Sequence, residues 1–155
     1  MVSSSSREVR PAPDARRAGA FRRILVGFDG SDESKAALRT ATSFSRELQG
    51  HVRVLLVVRP SARVDTPEEL ARVAAAERDS LSRELANHGE APGGELDGRL
   101  VFSSDPARAL AQHAEEHGFD LIVVGAPDGD HPTHPGISHA VDLLVKEPPC
   151  PVLVV

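Results

Sequence analysis

The sequence predicts an α/β fold: an open, doubly wound, five-stranded parallel sheet carrying four helices. Short β-branched apolar runs alternate with stretches whose apolar residues recur every three to four positions. Cap and stop residues bound those periodic stretches. Strands separated by helices join through crossovers, which are right-handed and lay helices on both faces.

Residues 24–28 (ILVGF) are too short for a helix and apolar throughout, as a strand buried on both faces is. The turn Asp29-Gly30-Ser31 ends it, and Asp32 and Glu33 place negative charge where a helix N-terminus favours it. Ala37, Ala41, Phe44 and Leu48 give the expected inner face of the first helix, and Gly50 its left-handed stop. Residues 52–58 (VRVLLVV) form the second strand, ended by Arg59-Pro60. Thr66 as cap, Pro67 at the first helical position and Glu69 three after the cap open the second helix. Its face is Leu70, Val73, Ala74, Leu81 and Leu85, and Gly89 closes it. Residues 90–98 read as a Gly- and acid-rich loop before a weaker third strand at 99–103. Asp105-Pro106 opens a third helix, with Leu110, Ala111 and Ala114 inward and Gly118 at its end. Residues 121–124 (LIVV) are the fourth strand. Ile137, Ala140, Val141 and Leu144 face the core from a fourth helix that Glu147-Pro148-Pro149 stops, and residues 152–155 (VLVV) are the last strand.

The chain of 155 residues is one domain's length, and its single cysteine, Cys150, excludes an internal disulfide framework and a cysteine-based zinc cage. No run approaches the ~20 apolar residues of a membrane span, so no membrane partner is expected. Aromatic residues are 3% of the chain, with no Trp or Tyr, which removes the stacking platforms of single-strand nucleic-acid binders. The net charge of −5 argues against any polyanion partner. That charge is uneven: residues 1–23 carry six Arg against Glu8 and Asp14, or +4, which leaves −9 on residues 24–155. The first 23 residues, with a Ser run and few large apolar side chains, are expected to form a disordered basic tail. They lack the apolar stretch of a secretory signal.

In sheets of this kind a ligand crevice opens beyond the strand C-termini, where the strand order reverses. Two candidates stand at strand ends: Asp29 after the first strand and Gly125 after the fourth, the latter followed by a loop over residues 126–136. As a structural residue Asp29 would cap the helix or form the turn; as a ligand residue its carboxylate suits a ribose hydroxyl or a hydrated magnesium ion.

ILVGFDGSDESKAAL, DPARAL, DLIVVG and EPPCPVLVV, in this order, resemble the universal stress protein family over residues 24–155. The resemblance implies strand order 3-2-1-4-5, a cytoplasmic dimer, and a role in stress survival or regulation rather than catalysis. Some members of that family bind ATP through a segment similar to G-x2-G-x9-G-[S/T], whose glycines admit phosphate to backbone N–H groups. Here Gly125 holds the first position, while Asp128, Ser138 and His139 stand at the second glycine, the third glycine and the hydroxyl. Gly27, Asp29 and Val57 align with positions that line the nucleotide. With Val124 and Ala140 they complete a vestigial nucleotide site that implies a non-catalytic protein. No cofactor is expected, and ATP with magnesium would bind only weakly. The alternative is an adenine-nucleotide sensor, or a slow ATPase, using the altered loop.

His131, His134 and His139, near Asp128 and Asp130, carry the ligand types of a zinc-like site, but Pro132 and Pro135 interrupt the spacing and a polar surface loop accounts for them. His113-x-x-Glu116-His117 fits a metalloprotease pattern, but a third ligand would have to come from elsewhere and the fold context is wrong, so a solvated helix face accounts for it. Cys150, between two prolines, has no adjacent base and is expected to be a packed, unreactive thiol. No G-x-S-x-G follows a strand. The apolar last strand at a sheet edge predicts a homodimer through residues 152–155, alongside a protein partner that the sequence does not name.

Overall fold

Strand β1 (Arg23–Phe28) occupies the middle of the sheet in a computed structural model that describes residues 21–61, 64, 66–88, 95–126 and 137–155. Helix α1 (Asp32–Leu48), strand β2 (His51–Val58), helix α2 (Pro67–Asn87), strand β3 (Glu95–Phe102), helix α3 (Pro106–His117), strand β4 (Leu121–Val124), helix α4 (Ile137–Lys146) and strand β5 (Val152–Val154) follow in order. All pairings are parallel and the sheet runs β3-β2-β1-β4-β5, the order that the family resemblance implies.

Alternation along β1 divides the core. Ile24, Val26 and Phe28 pack with Ala37, Leu38 and Ala41 of α1 and Leu81 of α2. Leu25, on the opposite face, packs with Ala107, Leu110 and Ala114 of α3 and Val141 and Leu144 of α4. Both faces of β1 are thus covered, which is why its sequence is an unbroken apolar run.

Several sequence expectations need correction. The inner face of α1 is Ser34, Ala37, Leu38, Ala41, Thr42 and Ser45, while Phe44 and Leu48 are 38% and 36% exposed. Hydroxyls can line this face because each finds a carbonyl: Thr42 Oγ1 donates to Leu38 O at 2.9 Å and Ser45 Oγ to Gly50 O at 2.7 Å. The left-handed stop of α1 is Gln49 (φ 52°), not Gly50. Gly50 is required for another reason, since a Cβ there would lie 2.8 Å from Arg22 O.

The third correction concerns β3, which starts at Glu95, so residues 95–98 are strand rather than loop. Asp97 and Gly98 are turn formers by local preference, but tertiary contacts override it. Asp97 accepts two hydrogen bonds from Arg53 on β2, and Gly98 lies so close beneath Leu81 and Leu85 that a Cβ would meet each at 2.9 Å.

In α2, Ala74 and Leu81 are buried and Leu70 is exposed. Gly89 lies outside the described residues. The expected tail over residues 1–23 is too long at its C-terminal end: Phe21 packs against the α1 side of the core, Asp120 accepts hydrogen bonds from the backbone of Arg22 and Arg23, and Arg23 opens β1. Residues 1–20 lie outside the described part.

Candidate functional site

The crevice expected from the topology lies where β1 and β4 part, since the chain runs outward from β1 through β2 on one side and β4 on the other. Gly27, Val57 and Val124 all turn to the α3 side at the C-terminal ends of their strands. A Cβ at Gly27 would sit 3.0 Å from Leu110 Cδ1 and 3.1 Å from Val124 Cγ1. The floor is therefore apolar and tight, and Leu110 of α3, which the sequence reading placed only in the core, shapes it.

Asp29 stands at the mouth in a turn that builds the start of α1. Its Oδ1 accepts from Ser31 N at 2.9 Å and from Ser31 Oγ at 2.5 Å. Gly30 between them has φ +83°, which only glycine adopts without strain. Ser31 caps the helix, accepting from Ser34 N at 3.1 Å, and Ser34 Oγ donates to Ser31 O at 2.9 Å. Asp29 is thus the turn residue of one reading, holding the cap Ser31 rather than capping α1 itself. Its second oxygen, Oδ2, accepts no hydrogen bond among the described residues and remains for the other. From sequence Ser31 was read only as part of the turn and Ser34 not at all, although D-x-S followed by S three residues on is the local signature of this capped turn.

Gly125 is buried against the first turn of α1. A Cβ there would lie 2.5 Å from Glu33 C and 2.7 Å from Glu33 O. Close packing of backbone on backbone alone demands glycine here. The next amide, Ala126 N, donates to Val155 O at 2.6 Å. Asp128, His131 and His134 lie outside the described residues. Ser138, His139 and Ala140 fall in the first turn of α4, whose described part is the backbone.

Elsewhere, His113 and His117 stack with ring centroids 4.1 Å apart on α3. Among the described residues no group of three or more His, Cys, Asp or Glu is placed to hold a metal ion. Cys150 packs half-buried beside Val152. Burial first, and then the Asp120 carboxylate, push its thiol up to about 11.

The model of the universal stress protein family matches residues 20–155. The chain belongs to that family. This universal stress protein is 32% identical over 150 residues to universal stress protein YxiE of Bacillus subtilis, covering 87% of this chain and 99% of the relative. Among solved structures it is similar to universal stress protein UspA of Lactobacillus plantarum, with a TM-score of 0.68, 26% identity, and coverage of 89% of this chain and 99% of that one. It shares its fold with an Archaeoglobus fulgidus universal stress protein solved in complex with dAMP, with a TM-score of 0.63, 18% identity, and coverage of 87% and 98%. Among the described residues of this family member no helix is long and apolar enough to cross a membrane.

Proposed function

We propose that this universal stress protein is a non-catalytic cytoplasmic regulator that works as a homodimer, with a crevice that holds adenosine-type ligands by base and ribose and gives phosphates little. One observation carries the reading: the polar groups around the crevice mouth already serve the fold. The Ser31 hydroxyl caps α1, Asp29 Oδ1 holds Ser31, the Ser34 hydroxyl donates to Ser31 O, and the Ala126 amide bonds β5. A hydroxyl held in a capping bond, with no imidazole beside it among the described residues, is not an activated nucleophile. The sequence adds Asp128 at a position where phosphate-binding relatives resemble one another in having glycine, and a carboxylate there repels phosphate.

The dimer reading rests on β5. Pro151 O, Val155 N and Val155 O all bond the β4 side. The alternation of a parallel ladder therefore turns the amides of Val152 and Val154 to an open edge, where Val154 is 40% exposed. Pairing two such edges about a twofold axis closes both at once.

Calorimetry with magnesium present tests the crevice. ATP is expected to bind more weakly than about 1 mM, with adenosine nearly as tight, because charge-assisted phosphate bonds worth about 1.5–3 kcal/mol each are missing. The combined change Asp128→Gly, Ser138→Gly and His139→Ser should improve ATP binding far more than adenosine binding. The competing reading, an adenine-nucleotide sensor or slow ATPase, draws on the dAMP complex of the archaeal relative and on the uncommitted Oδ2 of Asp29. Micromolar ATP affinity in the unaltered protein would select it. With no Trp or Tyr in the chain, absorbance at 260 nm reveals a co-purified nucleotide over little protein background.

A further inference from the structure

A second gathering of titratable side chains lies at the opposite end of the sheet, on the α3 face. Arg53 Nη2 meets Asp97 Oδ2 at 2.9 Å, His51 Nε2 meets Asp97 Oδ1 at 3.3 Å, and Arg99 reaches Asp97 at 4.0 Å. Burial alone would raise the Asp97 carboxyl, but the hydrogen bonds and charge of Arg53, with His51 and Arg99 behind them, hold it below the usual carboxylate range. One carboxylate thus serves three basic side chains.

Phe119 is the hub beside them. The guanidinium carbons of Arg23 and Arg53 lie 5.2 and 5.6 Å from its ring centre, and the rings of His51 and His113 stack at 6.1 and 6.0 Å. On its far side the His113 ring stacks on His117. Arg23 Nη2 also donates to His117 O at 2.9 Å, tying the end of α3 to β1. Within this arrangement His113 Nε2 is buried and has no hydrogen-bond partner among the described groups.

A neutral imidazole tolerates that place at the cost of one unpaired nitrogen; an imidazolium would bury an unpaired charged donor. Most groups around it do not help. His117 from α3, His51 and Arg53 from β2, Arg99 from β3 and Arg23 from β1 are basic, and Asp97 is already shared. The exposed Glu116 on α3 favours the proton, but less than burial, His117 and Arg53 oppose it.

We propose that His113 is an acid-sensitive latch: as a neutral ring it seats the last turns of α3 on Phe119 and β2, and on protonation it leaves its seat and releases that end of the helix. Burial first, then His117 and Arg53, lower the His113 pKa. The sign follows. The unfolded chain binds the proton more readily, so the latch stabilises at neutral pH and loses hold as pH falls from the ordinary imidazole range through the lowered folded value. Leu110, less than one turn before His113, is the side chain that rests on Gly27, so movement here reaches the crevice floor whatever the crevice binds.

Two measurements test this. In the intact chain, imidazole proton shifts should place His113 titration below that of a free histidine. Amide exchange in the last turn of α3, corrected for intrinsic rate, should quicken by up to about tenfold per pH unit in that window. In His113→Gln that extra acceleration should vanish. Titration of His113 at or above the free value, or an equal acid response in His113→Gln, overturns the proposal. If His113→Gln does not fold, the intact chain's titration decides alone.

Discussion

Gly125 illustrates how a residue can satisfy two readings of one motif. At a phosphate loop it would be glycine to admit a ligand; here Glu33 already fills the space a Cβ would need. Gly125→Ala is therefore expected to destabilise the protein by about 1–3 kcal/mol or more through overpacking against a backbone that cannot step aside. A denaturant midpoint unchanged from the parent would refute that packing account. Cys150 lends itself to an equally direct check. With its thiol near 11, about one molecule in a thousand is thiolate at pH 8, and alkylation should run about a hundredfold slower than for a free cysteine. Rapid labelling in the native protein would contradict the burial from which this follows.

At the level of elements, the N-terminal caps are local and transferable. Thr66 accepts from Glu69 N at 3.2 Å, and Thr66→Ala should cost about 1 kcal/mol, read as a lowered urea midpoint with an unchanged slope. The caps of α2 and α3, the stop of α3 and the central strands were legible because their causes lie within a few residues: Asp105 before Pro106, Gly118 at φ 66°, LIVV buried on both faces. The start of β3 was not, because this edge strand carries Glu95, Asp97 and Arg99, and what holds it comes from elsewhere in the chain: Arg53 of β2 on Asp97, and Leu81 and Leu85 of α2 over Gly98. The inner face of α1 was hidden by its small hydroxyl residues, whose burial depends on bonds that periodicity does not encode. In the crevice, Asp29 and Gly125 could be located from strand ends alone. The backbone of Glu33 against Gly125 could not, since it is an approach between segments far apart in sequence.

For the molecule as a whole, assembly is the property most open to test. Val154→Lys places charge on the open edge of β5, where a paired strand would bury it, and should convert a dimer to a monomer at micromolar concentration in sedimentation. A parent chain that already sediments as a monomer, or a Lys variant that remains dimeric, would remove this edge from consideration.

The central position of β1 also sets a timetable. Its partner on one side, β2, begins within about thirty residues, but its partner on the other, β4, lies about a hundred residues on, with Ile24 opposite Leu121. A ribosome adding about 5–20 residues per second leaves that flank of β1 without its strand for roughly 5–20 seconds. During that interval a largely apolar strand of the nascent chain presents a bare edge, a natural place for a chaperone to act.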